Sequence, residues 1–226
     1  VARSDRDVPL ERRILRFDAV PSTQDVIRAE GLAGAPAGTV AIARHQTAGR
    51  GRRGRTWSDP GDGMLMLSYL ARLPRQAEAL APLPLVAGLA VVEALATPAA
   101  LHWPNDVVID GAKVAGVLVE GIAVAEPFSI IGIGINANVP ARSLPETDRL
   151  PAGSLLTATG TPVDLALLEA RVLTALDTTL ATFAADGFGA LRPRYDAVDA
   201  LRGRRVTLRT PTGTAEGTVH GVDVQG

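Results

Sequence analysis

The sequence predicts an α+β fold, in which one mixed β-sheet is flanked by helices and followed by a small β segment. Three observations lead there. Strand-like and helix-like runs do not alternate regularly, as a doubly wound parallel sheet requires. Asp110-Gly111 stands between β-branched runs, a two-residue hairpin signal that makes its flanking strands antiparallel. From Gly203 onward the helical patterning stops and only short β-prone stretches remain.

The elements follow in chain order. "RILRFDAV" reads as a short strand. "PSTQDVIRAEG" reads as a helix: Ser22 or Thr23 caps its start, Asp25 adds charge to the first turn, and Gly31 stops it. "GTVAIARHQT" alternates like a strand and delivers the chain into an Arg/Gly loop. "MLMLSYLARL" is apolar throughout its first half, as a buried strand would be. "PLPLVAGLAVVEALA" is a helix whose prolines fall in the first turn, where a missing N–H costs little. "LHWPNDVVIDGAKVAGVLVEGIAV" holds the hairpin, and "FSIIGIGINAN" is another strand. In "VDLALLEARVLTALDTTLATFAADG", Leu165, Leu168, Val172, Leu176 and Leu180 step by three and four, a core-facing stripe that ends at Gly187. "GRRVTLRTPTGTAEGTVHGV" gives two short strands around a Thr-Gly turn, like the beginning of a small β-barrel.

Composition excludes several function classes. The net charge is −1, so the arginine cluster is local, and broad electrostatic binding to nucleic acid is not favoured. With no cysteine there are no disulfides, thiolate nucleophiles or Cys-based metal sites. His45, His102 and His220 show no ligand spacing, so no metal centre is expected. No apolar run is long enough to span a membrane, and "VARSDRDVPLERR" lacks the apolar core of a signal peptide, which makes the cytoplasm the expected compartment.

Four arginines and three glycines lie between positions 49 and 55, within "HQTAGRGRRGRTW" (45–57). Gly49, Gly51 and Gly54 match the G-x-G-x-x-G string of dinucleotide folds. That motif needs a helix to open at its end, so that the pyrophosphate meets the helix N-terminus. Pro60 and the glycines after it forbid one here. Gly132, Gly134 and Ala137 form a second near-match that fails for the same reason, and no G-x-x-x-x-G-K-[ST] phosphate loop is present. Two readings remain: a solvated basic loop, or a Gly-rich loop closing over an anion with arginine forks. Trp57 tilts toward the second, because an indole can cover a flat ligand such as a nucleobase. Such a loop is expected to stay mobile over 48–58 until an anion neutralises its repelling charges.

A turn at Asp110-Gly111 pairs Ile109 with Ala112 and Val108 with Lys113, so Asp106, Val108 and Lys113 share a face. Either Asp106 and Lys113 form a surface ion pair worth under ~1 kcal/mol, or the lysine is aimed at a transferring phosphoryl group. In "SIIGIGINAN", Ile131, Ile133 and Ile135 face one side and Gly132, Gly134 and Asn136 the other. That bare face admits another backbone or a flat ligand, and an Asn amide can read an adenine edge.

Taken in order, "STQ" (22–24), "HQTAGRGRRGRTW" (45–57), "WPND" (103–106), "KVAGVLVE" (113–120) and "GIGINAN" (132–138) resemble the biotin protein ligase family. The resemblance implies a sheet related to class II aminoacyl-tRNA synthetases and lipoate ligases, with an SH3-like C-terminal domain. Residues 1–200 would be the catalytic domain and 203–226 the incomplete start of the second. It implies an ATP-dependent, AMP-forming ligase of the type without a DNA-binding domain. Biotin is activated to biotinyl-5′-AMP with ATP and Mg²⁺, then passed to a lysine of a biotin carboxyl carrier domain of a carboxylase. Neither nucleic acid nor membrane is an expected partner; a homodimer by sheet extension stays open.

The implied biotin-binding residues are Ser22, Thr23, Gln24, Gln46, Arg50, Gly51, Arg52, Lys113 and Gly116, the last approaching the ureido ring. The implied ATP-binding residues are Arg52, Arg55, Trp57, Asn105, Lys113, Asn136 and Asn138, with Trp57 covering the adenine and Asn136 reading its edge. Lys113, Arg52 and Asp106 are the implied catalytic set, Asp106 orienting the acceptor amine and taking its proton. Gln24 and His102 depart from the pattern, where the family has Asn and Lys. Rival readings are a lipoate-type ligase on the same fold, a biotin-responsive repressor, and a binding module without catalysis. The lack of a helix-turn-helix in these residues speaks against the repressor; the retained Lys113 and arginines speak against the module.

Overall fold

The computed structural model describes residues 12–74, 80–147, 149–210 and 213–226. Its main sheet has seven strands: β1 (Ile14–Val20), β2 (Val40–Gln46), β3 (Met64–Ala71), β4 (Ala100–His102), β5 (Asp106–Ile109), β6 (Ala112–Ile122) and β7 (Phe128–Asn136). They lie in the order β1-β2-β3-β7-β6-β5-β4. β1 and β2 are parallel, joined through the crossover helix α1 (Thr23–Leu32); the other neighbours are antiparallel. The sheet is mixed, as the irregular alternation predicts.

Helices α2 (Leu83–Ala94), α4 (Leu165–Asp186) and α5 (Phe188–Val198) cover one face, over Leu65, Leu67, Ile131, Ile133 and Ile135. α2 is apolar on every side because the sheet lies beneath it and α4 and α5 beside it. The opposite face is only partly covered. There Ile27 of α1 packs with Ala41, Leu70, Phe128 and Ile130. β3 therefore reads as apolar on both faces, broken only by the buried Ser68. That uncovered remainder is where the site forms.

Several sequence expectations need adjustment. α1 is capped by Ser22, whose hydroxyl accepts from the Gln24 N–H, but Gly31 does not stop it. Gly31 lies inside the helix, where a Cβ would come within 2.4 Å of the Phe128 ring; its role is close packing on the sheet. The long helix α4 does end at Gly187, with φ 78. α3 (Leu155–Thr159) and α5 have no counterpart in the sequence reading. α3 has only five residues, too few for a periodicity, and α5 carries Pro193 inside it, a residue that normally signals a break. β8 (Arg205–Thr210) and β9 (Gly213–Thr218) form a separate antiparallel pair. Thr212 of the expected Thr-Gly turn, and the N-terminal stretch through residue 11, lie outside the described residues. Among the described residues no helix is long and apolar enough to cross a membrane.

Candidate active site

The part of the sheet that α1 leaves open is the floor of a cavity of about 680 Å³, a size suited to a small-molecule ligand. Glycines make the floor. A Cβ at Gly132 would lie 2.5 Å from the Gln24 amide nitrogen, and one at Gly134 would lie 2.4 Å from the Trp57 indole. One at Gly116 would lie 2.9 Å from the same indole and 3.2 Å from the Lys113 ammonium. The flat group that this face admits is first of all the chain's own tryptophan. Gly116 thus sits beneath Trp57 and Lys113, and it is Gly132 that faces the α1 wall.

Lys113 reaches the cavity because of an irregularity in the hairpin. Asp110 and Gly111 both have positive φ (49 and 79), as a type I′ turn requires, and Ile109 pairs with Ala112 and Val108 with Lys113. The register then shifts: Val107 opposes Ala115 and Asp106 opposes Gly116, leaving Val114 as a β-bulge. Strict alternation would put Lys113 and Gly116 on opposite faces; the bulge puts them on one. The Lys113 ammonium lies 2.6 Å from Asp106 Oδ1, an ion pair not aligned as a hydrogen bond, and 5.2 Å from the Trp57 ring centroid. A segment after β7 locks the strand here, with Lys113 N–H donating to Pro151 O at 2.7 Å and Gly153 N–H to Lys113 O at 2.8 Å.

The stretch read as a loop is a tight antiparallel hairpin. Arg50 bridges to Thr56, Gly51 N–H donates to Arg55 O at 2.7 Å, and Trp57 N–H donates to Gly49 O at 2.9 Å. Asp59 closes the base of the excursion, accepting from Gln46 N–H at 2.8 Å and Gly61 N–H at 2.9 Å. Arg52 donates to Asn105 Oδ1 at 3.2 Å, and Asn105 is fixed in turn by donating to Val117 O at 2.8 Å. Burial pushes the Arg52 guanidinium below its ordinary pKa, repulsion from Arg53 adds to that, and Asp106 opposes it. Arg52, Arg53 and Arg55 form no ion pair among the described residues. The cavity wall is therefore short of negative charge.

The start of α1 makes the other wall. Gln46 Oε1 accepts from the Thr23 N–H at 2.7 Å and its hydroxyl at 3.1 Å, and Thr23 Oγ1 is 2.8 Å from Ser68 Oγ. The Gln46 amide nitrogen has only the Met66 sulfur, at 3.4 Å, a weak acceptor. The Trp57 indole N–H is buried with no hydrogen-bond partner among the described residues. Both are donors left for something else to satisfy.

Of the residues singled out from sequence, thirteen line this cavity, Asp106 and Asn138 being the exceptions. Asp106 stands behind Lys113. Asn138 is spent on the backbone of Val163, accepting from its N–H and donating to its O, each at 2.8 Å, so its expected contact with ATP has no free polar atom behind it. Asn136 donates one amide hydrogen to Gly153 O at 2.8 Å, which fixes the amide and leaves its Oδ1 and second N–H without a side-chain partner among the described residues of the cavity. Residues the sequence reading missed include Ser68, Leu118, Pro145, Glu146, Thr147 and Leu150. Ser68 was findable as the lone polar residue in an apolar strand; Pro145, Glu146, Thr147 and Leu150 follow no pattern at all.

Known proteins resemble this chain in sequence and in fold. The model of the Biotin/lipoate A/B protein ligase family matches residues 17–138. The bifunctional ligase/repressor BirA of Bacillus subtilis (strain 168) is 32% identical over 222 residues, covering 95% of this chain and 68% of that protein. The biotin–[acetyl-CoA-carboxylase] ligase of Mycobacterium tuberculosis is 35% identical over 198 residues, covering 84% of this chain and 71% of that one. Among solved structures, the biotin protein ligase from Aquifex aeolicus in complex with biotin and ATP aligns with a TM-score of 0.78 at 29% identity, over 94% of this chain and 89% of that one.

Proposed function

The chain belongs to the biotin/lipoate A/B protein ligase family, and from there we propose that it activates biotin with ATP to biotinyl-5′-AMP and passes the biotinyl group to a lysine of a biotin carboxyl carrier domain. The observation that supports this most directly is the cavity wall of Arg52, Arg55 and Lys113, cationic and under-neutralised, above a bare glycine floor. Such a wall suits a phosphate-bearing ligand, and such a floor suits a flat one.

In the first step the biotin carboxylate oxygen bonds to the α-phosphorus of ATP and the bond to pyrophosphate breaks. The nucleophile is already ionised, so no protein base is needed, and rate comes from positioning and from cations aimed at the developing charge. Lys113 and Arg52 supply those cations. Asp106 and Asn105 aim them, and Asp106 acts here as a positioning residue for Lys113 before any role toward the acceptor amine. The open amide donor of Gln46 suits the ureido oxygen of biotin, and Asn136 Oδ1 suits the adenine amino group. In the second step a neutral lysine amine attacks the mixed anhydride carbonyl and AMP leaves. Among the described residues no group of three or more metal-ligating side chains gathers. Mg²⁺ would arrive on the phosphate oxygens of the nucleotide. On this reading residues 1–200 form the catalytic unit and β8–β9 begin a second one.

The deciding experiment is ATP–pyrophosphate exchange with biotin or lipoate as the acid. Exchange that depends on biotin, followed by a one-biotin mass increase on a purified carrier domain, supports the proposal. Exchange driven by lipoate and not biotin overturns it in favour of a lipoate-type ligase.

A further inference from the structure

One of the four arginines on the 49–57 hairpin is treated differently from the rest. The Arg50 guanidinium is held on three sides: Nη1 lies 2.6 Å from Asp25 Oδ1, Nη2 donates to Gln24 Oε1 at 3.4 Å, and Nε stands 3.4 Å from Glu120 Oε1. The second Glu120 oxygen is held by Arg28. Asp25 and Gln24 come from the first turn of α1 and Glu120 from β6, two elements already joined by the Arg28–Glu120 pair and the Gln24 amide on Leu118 O, and rooted in the core through Ile27 and Ile122. The hydrogen bonds that close the hairpin tie it only to itself. Among the described residues it is attached to the rest of the wall at Arg50, at the Arg52–Asn105 contact and at Trp57, whose ring lies on the glycines, beside Lys113 and against Met64, Met66 and Val139.

We propose that Asp25 and Glu120 form a two-carboxylate socket that seats Arg50 and holds the 49–57 hairpin closed over the cavity, leaving Arg52 and Arg55 to meet the ligand. Three unpaired guanidinium groups at 52, 53 and 55 repel one another and favour an open hairpin when no anion is bound; the socket opposes that. It also gives Gln24 a reason for its length. The amide spans from Leu118 O, to which it donates at 2.9 Å, across to Arg50, a reach one methylene longer than an asparagine provides. Arg50 is thus a positioning residue and not one of the anion-binding cations. The substrates named in the test rest on the ligase reading; hairpin closure does not.

The test uses Asp25→Asn, Glu120→Gln and their combination, isosteric changes that each remove one charge. Trypsin cleavage after the arginines at 52, 53 and 55, measured without ligand, reads closure alone. Biotin-dependent pyrophosphate exchange reads its consequence. Apparent affinity falls by the same factor as the closed fraction. The double variant should be cut about fivefold faster or more, because cleavage reads the open fraction, with KM for biotin and ATP raised by the factor by which the closed fraction falls and kcat within about twofold. Arg50→Lys, with one compact ammonium for two carboxylates, should fall between. A double variant that keeps its circular dichroism, is cut at the wild-type rate and shows unchanged KM overturns the socket. So does a loss confined to kcat, which would place the carboxylates in the chemistry. If Glu120→Gln does not fold, Asp25→Asn, on a half-exposed side chain, carries the test. Absence of exchange in the wild type would sink the ligase reading, and the ligand-free cleavage would still decide the socket.

Discussion

Lys113 is the only lysine among the 226 residues; the other 22 basic positions are arginine. Its backbone is pinned by Pro151 and Gly153, and its ammonium is held between Asp106 and the face of Trp57. A compact point charge fits that gap, and a planar fork does not replace it. Lys113→Met keeps the length and removes the charge, so biotin-dependent pyrophosphate exchange should fall by ~10²–10³, about 2.7–4 kcal/mol, with circular dichroism unchanged. A folded Met variant with near wild-type exchange would reduce Lys113 to a structural ion pair. Trp57 is the second residue whose role can be isolated. Its ring spans Gly116 and Gly134 and packs against the buried cluster of Met64, Met66 and Val139, so Trp57→Ala uncovers the floor and removes that packing too, with thermal unfolding as the control for the second effect. Base stacking is worth ~1–3 kcal/mol, and KM for ATP should rise more than KM for biotin. Equal losses would make the indole a wall of the cavity and nothing more.

At the scale of the element, α1 shows two physical effects competing. Gly31 lies within a helix, where alanine is intrinsically better by roughly 1 kcal/mol. Against that, an added Cβ would meet Phe128 ring carbons at 2.4 and 2.5 Å and the Leu70 side chain at 2.7 Å. Phe128 and Leu70 are buried and have little room to give, and overpacking of this kind costs ~1–3 kcal/mol. Packing should win. Gly31→Ala is expected to lower the thermal midpoint and, because α1 carries Ser22, Thr23 and Gln24 into the cavity wall, to raise KM for biotin. A higher midpoint would show that α1 can move off the sheet without loss. The 106–116 hairpin gives the matching lesson in legibility. Its turn and first two pairs were readable from Asp110-Gly111, but the bulge at Val114 was not, because a buried valine is equally at home in a regular strand and in a bulge.

Across the whole molecule two tyrosines tie the layers together. Tyr69 of β3 donates to Asp177 of α4 at 3.0 Å, and Tyr195 of α5 is fully buried beneath Asp196 and Asp199. Burial first, and then these carboxylates, raise both phenols above their ordinary pKa. The unfolded chain releases these protons near pH 10, whereas the folded chain holds them to higher pH. Their contribution to stability is therefore complete below about pH 10 and is lost as the pH climbs from there through the folded values. Thermal unfolding should show a midpoint insensitive to these groups up to about pH 10 and falling above it. Tyr69→Phe should lessen the alkaline fall; an unchanged slope would assign it to other groups.

The order of α1, α2, α4 and the longer strands, the hairpin turn, the glycine face of β7 and the family motifs were set by the sequence alone. Each is a local property, fixed by side-chain period, turn stereochemistry or the order of neighbouring residues. Other features were decided only by the tertiary structure. The bulge brought Lys113 and Gly116 onto one face; Arg50 found Asp25, Gln24 and Glu120; Asn138 turned to Val163 and away from the cavity; Gly31 served a phenylalanine rather than a helix end. In each case the partner lies 25 to 97 residues away in the chain, or the outcome depends on a register that nearby residues leave free. A charged or amide side chain shows its chemistry in the sequence, but which of several equivalent partners satisfies it depends on where the packed sheet and helices set the two backbones.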